Sequence, residues 1–179
     1  MNHISRIAAS SKAYIALGAN LSFEGMSPAQ TISAAISALQ SRGVHVRRVS
    51  QLWHSPAWPN PDEPSYINAV VRLSTRRPPL ALLRHLHTIE HRFGRRRNIR
   101  NAPRTLDLDL ISYGNLALRS RALTLPHPRA MRRAFVLLPL REVSPGRRFP
   151  GTRKNLNALI AALPSSERQA TRPLTQPCL

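Results

Sequence analysis

Apolar and polar residues alternate in the stretch Arg104-Thr105-Leu106-Asp107-Leu108-Asp109-Leu110, which continues into Ile111-Ser112-Tyr113. This period of two predicts a half-buried β-strand, with the leucines facing a core and Thr105, Asp107 and Asp109 facing the other way. Residues i and i+2 of a strand lie on one face, roughly 6–7 Å apart. Two carboxylates held that close repel each other unless a positive charge lies between them.

Magnesium is one answer to that repulsion, because a hard divalent cation takes carboxylate oxygens and keeps positions open for phosphate. A strand with a solvated acidic face is the alternative interpretation of an isolated Asp-x-Asp pattern. The surroundings favour the metal, since the chain has 8 acidic residues against 27 basic ones. Six arginines lie just upstream of the acids: Arg92, Arg95, Arg96, Arg97, Arg100 and Arg104. Acids for a metal beside arginines for phosphate are the combination that phosphoryl transfer requires.

The composition indicates one domain with a very basic surface. The chain has 179 residues, of which 42% are hydrophobic and 5% aromatic, and a formal net charge of +19. Arginine supplies 25 of the 27 basic residues. Such a surface attracts polyanions, nucleic acid included.

Cysteine usage and the termini set further expectations. Cys178 is the single cysteine, which excludes an intrachain disulfide and fits a reducing, cytoplasmic compartment. No apolar run approaches the ~20 residues of a membrane span. Residues 1–12 are predicted to be a disordered extension, with a transit peptide as the alternative, residues 13–164 to form the domain, and residues 165–179 to be a disordered tail.

The order of predicted elements indicates the fold class. Strands are predicted at 12–17, 44–53, 66–73 and 104–113; Ser27-Pro28 and Pro78-Pro79 begin helices, and Gly43 and Gly94 follow their ends. Residues 54–64 form a proline-rich loop, and Gly114-Asn115 a turn into a hairpin with 116–118. This order matches the split β-α-β-β-α-β arrangement, an α+β, ferredoxin-like fold with helices packed on an antiparallel sheet.

Four separated stretches carry a resemblance to a known family. They are residues 13–21, Ser55-Pro56 with Tyr66-Ile67-Asn68-Ala69, residues 90–109, and Leu125-Pro126-His127-Pro128 with Arg133-Ala134-Phe135-Val136. Together they resemble the 6-hydroxymethyl-7,8-dihydropterin pyrophosphokinases of folate biosynthesis. The run Gly94-Arg95-x-Arg97 followed by Pro103-Arg104-Thr105-Leu106-Asp107-Leu108-Asp109 is the most specific part.

The resemblance implies a reaction and its residues. The pyrophosphoryl group of ATP moves to the pterin hydroxymethyl oxygen and AMP leaves, with Asp107 and Asp109 holding two Mg²⁺ ions. The family's catalytic residues match Arg95, Arg97, Arg104, Asp107 and Asp109. Its ATP-binding residues match Glu90, Arg97, Arg104, His127 and Arg133.

Some of these matches have ordinary structural alternatives. Glu90 also fits an ion pair on the helix surface, and His127 fits an exposed imidazole in a turn. Arg96 and Arg100 match no motif position and are expected to be solvated.

The resemblance also assigns a pterin site. Tyr66 and Phe135 match two aromatic rings that sandwich the pterin, although without the resemblance both would be interpreted as core residues. Asn68 offers a donor and an acceptor to the amide-like pterin edge. The loop residues Ser55, Pro56, Ala57 and Trp58 complete this set.

The chain departs from the family pattern at three places. None of them belongs to the residues matched to metal or phosphate, so they concern the kinetics of the loops and not the reaction class. Trp58-Pro59 replaces an aliphatic residue and glycine, Asn101-Ala102 replaces a Trp-Gly pair of some members, and Pro128 replaces an aromatic residue.

Two other functions remain open at this point. One is a nucleic-acid-binding module, argued from the charge, although no aromatic residues are interleaved with basic ones as RNA recognition requires. A specific nucleic-acid partner is therefore not expected, nor is a membrane partner. The other is a related kinase that acts on a different pterin or a purine-like alcohol. The protein is expected to be a monomer.

Overall fold

The computed structural model describes residues 10–58, 60, 62–95 and 104–174. Its central strands are β1 (Ser11–Ala19), β2 (Val44–Val49), β3 (Trp53–Ser55), β4 (Tyr66–Thr75) and β5 (Asp107–Tyr113). The helices are α1 (Pro28–Leu39), α2 (Pro79–Arg92), α3 (Ala134–Val143), α4 (Leu156–Ala161) and α5 (Ser165–Ala170). Short elements complete the chain: β6 (Leu118–Arg119), β7 (Thr124–Leu125), a 3₁₀ turn at Ala130–Arg132 and β8 (Arg172–Pro173).

The sheet has the order β5-β1-β4-β3-β8, and β2 also pairs with β4. All of these pairings are antiparallel. The predicted α+β, ferredoxin-like arrangement is confirmed, because β5 and β4 flank β1 and the second strand lies beyond β4.

That second strand is divided, which corrects the prediction of one strand over residues 44–53. The Val70 amide donates to Ser50 Oγ at 2.9 Å, and the Ser50 amide donates to Val70 O at 3.0 Å. A side-chain oxygen thus replaces a backbone carbonyl in the ladder and β2 ends before Ser50. Pairing resumes at Trp53, so that His54 and Ser55, predicted as loop, belong to β3.

The alternation predicted for β5 is confirmed up to Leu110. Leu106, Leu108 and Leu110 are buried in the core that α1 and α2 form on one face of the sheet. The register against β1 shifts between Tyr14 and Ile15, which leaves Ile111 as the extra residue of β5, and Ile111 packs in a second core on the opposite face, with α3 and α4. Asp107 and Asp109 therefore lie on the face that α3 covers only in part.

The first helix begins as predicted. Ser27 Oγ accepts from the Gln30 amide at 3.3 Å, and Gln30 Oε1 accepts from the Ser27 amide at 2.9 Å, which forms a capping box with Pro28 at the first position. The helix ends at Leu39, and Gly43 lies in the turn before β2 at φ 80°.

Two predictions for shorter segments differ from the structure. After the turn at Gly114, β6 pairs with β7 and not with β5. In the segment predicted to be a disordered tail, α5 forms a helix and β8 pairs with β3. The Leu174 amide donates to Leu52 O at 2.7 Å. Pairing with an open edge of the sheet therefore orders this segment, although its polar composition predicts disorder. None of the helices in the described residues is long and apolar enough to span a membrane.

Replacement of Leu86 tests the first core. Leu86 is fully buried on the inner face of α2, so Leu86→Ala should lower the free energy of unfolding by about 2–5 kcal/mol through lost burial and a cavity. Urea denaturation measures this, with Leu80→Ala as the control because Leu80, in the same helix, is 41% exposed. Equal losses in the two variants would contradict the assigned packing.

Candidate active site

One row of paired residues crosses the sheet beneath the main cleft. Asp107 pairs with Gly18, Gly18 with Asn68, and Asn68 with Trp53. Paired residues of neighbouring strands point to the same face, and Asp107, Gly18 and Asn68 of this row lie on the floor of one cleft, while Trp53 packs in the second core. The cleft has a volume of about 920 Å³, within the range of small-molecule sites.

Small residues keep the middle of this floor open. Gly18 lies between Asp107 and Asn68, and in the next row Ala16 lies between Asp109 and Val70. A Cβ atom at Gly18 would lie 3.4 Å from Asn68 Oδ1 and 3.9 Å from the Tyr66 ring. Because Gly18 has no side chain, the acidic end of the cleft is continuous with the end that contains Tyr66 and Asn68.

At the acidic end, two guanidinium groups bind Asp107. Arg95 Nη1 donates to Asp107 Oδ1 and Arg104 Nη1 donates to Asp107 Oδ2. Burial disfavours the charged carboxylate, but Arg95 and Arg104 outweigh it, so the pKa of Asp107 is lowered. Asp107 is therefore a carboxylate at neutral pH.

The pKa of the neighbouring acid, Asp109, is shifted in the opposite direction. Burial, followed by the negative charge of Asp107, raises the pKa of Asp109, and its ion pair with Arg133 is long at 4.0 Å. Among the residues that the structure describes, the charge of Asp109 is thus offset less completely than that of Asp107. A cation between the two carboxylates would relieve their repulsion.

The chemistry of these donors fits Mg²⁺. Within the described residues, no group of three or more His, Cys, Asp or Glu side chains is placed to hold a metal ion. Two carboxylates on one strand face match the habit of Mg²⁺, which uses one or two protein carboxylates and takes its other ligands from water and substrate phosphates.

Glu90 supports the acidic end from below. Its side chain is 97% buried, and its Oε1 accepts from the Leu108 amide at 2.8 Å and from Arg95 Nη1. The ion pair anticipated as an alternative for Glu90 is therefore present, but it is buried and not on the helix surface. Glu90 connects the end of α2 to the start of β5 and fixes Arg95 beside Asp107.

His127 and Arg133 lie on the α3 side of the acids. The His127 amide donates to Ile111 O at 2.8 Å, which ties the segment before α3 to β5. The ring Nδ1 accepts from the Arg129 amide at 3.3 Å, and burial lowers the pKa of His127. The imidazole is half-buried near Asp109 and Arg133, and not the exposed ring of a free turn.

At the other end, Tyr66 and Phe135 both line the cleft. Arg133 lies over the Phe135 ring, with 5.3 Å from its Cζ to the ring centroid. Burial raises the pKa of the Tyr66 phenol. Neither ring is fully buried, so both are available to a ligand and neither is an ordinary core aromatic.

Asn68 is buried, and its amide is held in one orientation. Nδ2 donates to Ser55 Oγ at 2.9 Å, while Oδ1 lies on the side of Gly18. Ser55, Pro56, Ala57 and Trp58 follow along the rim. The Trp58 side chain is 73% exposed, so this loop presents an open aromatic surface to the cleft.

Several lining residues were missed by the sequence analysis. Arg129 and Arg132 join Arg133 on the α3 side, and Glu167, Ala170 and Thr171 come from the segment predicted to be disordered. The arginines carried a signal, because they lie between the two matched stretches 125–128 and 133–136. The last three carried none, since they reach the cleft only through the pairing of β8 with β3.

Other predicted residues cannot be placed. Arg97, predicted to be catalytic and to bind ATP, lies outside the described residues, as do Arg96, Arg100, Pro59 and the Asn101-Ala102 pair.

Comparison with known proteins gives a consistent result. The family model described as 7,8-dihydro-6-hydroxymethylpterin-pyrophosphokinase (HPPK) matches residues 14–145. The 2-amino-4-hydroxy-6-hydroxymethyldihydropteridine pyrophosphokinase of Haemophilus influenzae is 40% identical over 133 residues, which are 74% of this chain and 81% of that protein. The Pseudomonas aeruginosa protein of the same name is 39% identical over 154 residues, 86% of this chain and 92% of that one.

Solved structures support the fold. An HPPK-DHPS protein crystallised in complex with substrates has a TM-score of 0.66 at 11% identity, and covers 86% of this chain. The wild-type HPPK-DHPS of Plasmodium falciparum has a TM-score of 0.65 at 12% identity, and covers 85%. This chain spans 43% and 41% of those longer chains, respectively.

Replacement of Glu90 tests the buried anchor. Glu90→Leu leaves the Leu108 amide without its acceptor and Arg95 without one partner, so the free energy of unfolding should fall by about 3–5 kcal/mol. Chemical denaturation measures the loss. Glu167→Leu is the control, because Glu167 is exposed and its loss should change stability by less than about 0.5 kcal/mol. A Glu90 variant as stable as this control would show that the anchor contributes little.

Proposed function

We propose residue roles for a transferase on the premise that the chain belongs to the 7,8-dihydro-6-hydroxymethylpterin-pyrophosphokinase family. Its reaction is the transfer of a pyrophosphoryl group from ATP to 6-hydroxymethyl-7,8-dihydropterin in folate biosynthesis. The remaining question is which side chains of the site perform each part of this reaction.

The row Asp107–Gly18–Asn68 carries the proposal. Asp107 and Asn68 stand two strand spacings apart, about 10 Å, on one face. We assign the triphosphate to the Asp107 end and the flat pterin ring to the Asn68 end. The open floor at Gly18 and Ala16 lets the hydroxymethyl group reach the β-phosphorus between them.

Asp107 and Asp109 would hold Mg²⁺, and we propose two ions, in accord with the family. When bound, Mg²⁺ neutralises charge on the phosphate oxygens and orients them for in-line attack. The repulsion between the two acids supports this assignment, because within residues 10–58, 60, 62–95 and 104–174 Asp109 has a long ion pair with Arg133, at 4.0 Å, whereas Asp107 binds two guanidinium groups closely.

The arginines would change partners when ATP binds. Arg95 and Arg104 pair with Asp107 in the structure, where their guanidinium groups neutralise the carboxylate as a metal ion would. We propose that they turn to the phosphate oxygens, with Arg97 from the adjoining loop and Arg133 from the α3 side. Guanidinium groups suit this role because they bind phosphate in a bidentate manner and remain charged.

His127 would bind phosphate as a donor. Its Nδ1 accepts a backbone hydrogen bond, so a neutral ring carries its proton on Nε2. That N–H is then free to donate to a phosphate oxygen. Glu90 is assigned here as a positioning residue that orients Arg95, and not as a direct ATP contact, since its carboxylate is buried against Leu108.

The pterin would be stacked between Tyr66 and Phe135, an interaction of about 0.5–1.5 kcal/mol for each ring pair beyond burial. Asn68 Oδ1 is the acceptor for the pterin edge, because Nδ2 is already used by Ser55 Oγ. Ser55, Pro56 and Ala57 contribute backbone groups, and Trp58 covers the open side.

Protein side chains need do little acid–base chemistry in this scheme. The arginines would hold the phosphates and the two rings would hold the pterin, so that the hydroxyl oxygen is kept near the phosphorus and positioning supplies most of the rate. A monomeric state and a cytoplasmic location remain predictions from the sequence.

Release of AMP from ATP tests the activity itself. AMP should form at a rate that depends on both 6-hydroxymethyl-7,8-dihydropterin and Mg²⁺, followed by chromatography of the nucleotides. Release that does not respond to the pterin would contradict transfer to this acceptor.

Asp109→Asn tests the metal assignment. The substitution keeps the shape but removes the charge that a metal needs, so turnover should fall about 1,000-fold or more, equivalent to several kcal/mol of transition-state stabilisation. Thermal unfolding should be unchanged or raised, because a like-charge repulsion is lost. Asp62→Asn, an exposed acid away from the row, is the matched control. Turnover close to that of the control would refute the assignment.

Phe135→Ala tests the stacking assignment. Its dissociation constant for the pterin, measured by calorimetry, should rise about tenfold, since ring stacking and apolar burial are both lost. Affinity for a non-hydrolysable ATP analogue should change by less than twofold. Equal losses for the two ligands would argue against a pterin slot at this position.

A further inference from the structure

A second, smaller cavity lies at the other end of the sheet. It has a volume of about 240 Å³, and its lining includes Ser10, His45, Arg47, Ser74 and Arg76. Ser74 and Asn68 belong to the same strand and are six residues apart, which places this cavity about 20 Å from the row that underlies the cleft. The two cavities share no lining residue.

A bulge in β2 concentrates arginines beside this cavity. Val46 pairs with Leu73 and Arg48 pairs with Arg72, so Arg47 is an extra residue opposite the same stretch of β4. Without the extra residue, Arg48 would share the face of Val46, against the first core. The bulge turns Arg48 to the face of Arg72, as bulges commonly re-aim side chains.

Positive charge is concentrated at this end of the sheet. We call His45, Arg47, Arg48, Arg72 and Arg76 the distal basic cluster. Within the described residues, the ion pairs at the acidic end of the cleft involve none of these five, and no carboxylate lines the cavity. Like charges directly opposite each other on paired strands destabilise a sheet, as Arg48 and Arg72 do here. A bound anion would offset that cost.

The backbone around the cavity is fixed. The Arg76 amide donates to Gly43 O at 2.9 Å, and Thr75 Oγ1 donates to the same oxygen at 3.0 Å. Ser41 and Val44 exchange two backbone hydrogen bonds across the turn, which Gly43 closes at φ 80°. The site is therefore pre-formed, which reduces the entropy lost when a ligand binds.

From this geometry we propose that the distal basic cluster is a second anion site, specific for phosphoryl groups. Arg47 and Arg76 supply guanidinium donors, and the hydroxyls of Ser10 and Ser74 supply neutral hydrogen bonds. None of the described residues that line the cavity is aromatic, so the site is suited to phosphate and not to a base. The phosphate comes either from a nucleic-acid backbone, bound without sequence preference, or from a free polyphosphate.

Two variants with equal charge test the site. Arg47→Gln with Arg76→Gln removes two charges from the cluster. Arg119→Gln with Arg121→Gln removes two exposed charges near the β6–β7 hairpin, at the opposite edge of the sheet. The overall field changes equally, so any difference between the variants reports the local site.

The probes are a labelled 16-base-pair duplex of mixed sequence, followed by fluorescence anisotropy over a range of salt concentrations, and inorganic pyrophosphate, followed by calorimetry. The cluster variant should bind the duplex about tenfold more weakly than the control variant. Its slope of log K against log salt should also be smaller by about 2, because two phosphate contacts are lost. Binding to the active-site cleft contributes equally in both variants.

The outcomes separate the sources. Loss of duplex binding alone identifies a nucleic-acid backbone, and loss of pyrophosphate binding as well identifies free phosphates; both support the site. Equal affinities in the two variants for both probes would overturn it. A second pair, Arg48→Gln with Arg72→Gln, should reproduce the loss if the first variant is unstable in thermal unfolding. AMP release should be normal in all variants, so failure here would leave the proposed function intact.

Discussion

Repulsion between two carboxylates on one strand face is the constraint around which the active-site end is built. The period of the strand holds Asp107 and Asp109 together, and the alternating leucines Leu106, Leu108 and Leu110 prevent either acid from turning away, since they are buried in the core on the opposite face. Opposite charge must therefore be brought to the acids. Among the described residues it arrives from three places: Arg95 after α2, Arg104 before β5, and Arg133 at the N-terminal end of α3.

The same strand explains how much of the fold could be predicted. The alternation in 104–110 and the cap at Ser27 are local signals, and both led to correct elements. The division of the second strand did not follow from such signals, because it depends on Ser50 accepting a hydrogen bond from Val70, twenty residues away. The partner of β6 and the ordering of β8 failed for the same reason: each is decided by an available edge elsewhere in the sheet.

For the site, the sequence identified the chemical groups and left their arrangement open. Tyr66, Asn68 and Phe135 were assigned through a family resemblance, and the structure brings them to one cleft. The role of Gly18 was not foreseen, since a missing side chain has meaning only when its neighbours across the sheet are known. Glu90 shows the converse. Its match to an ATP-side acid gave no indication that its carboxylate holds the backbone of the next strand.

Arg95 is shared between Glu90 and Asp107, and this sharing has a consequence for the ligand-free protein. These ion pairs neutralise the charge of Asp107 before any nucleotide arrives, so phosphate oxygens compete with a carboxylate for the Arg95 guanidinium. In the proposed scheme, a metal ion at the two acids would replace Arg95 at Asp107 and so release it for the phosphates. The buried Glu90 would keep its ion pair with Arg95 while the guanidinium group turns from Asp107 to the phosphates.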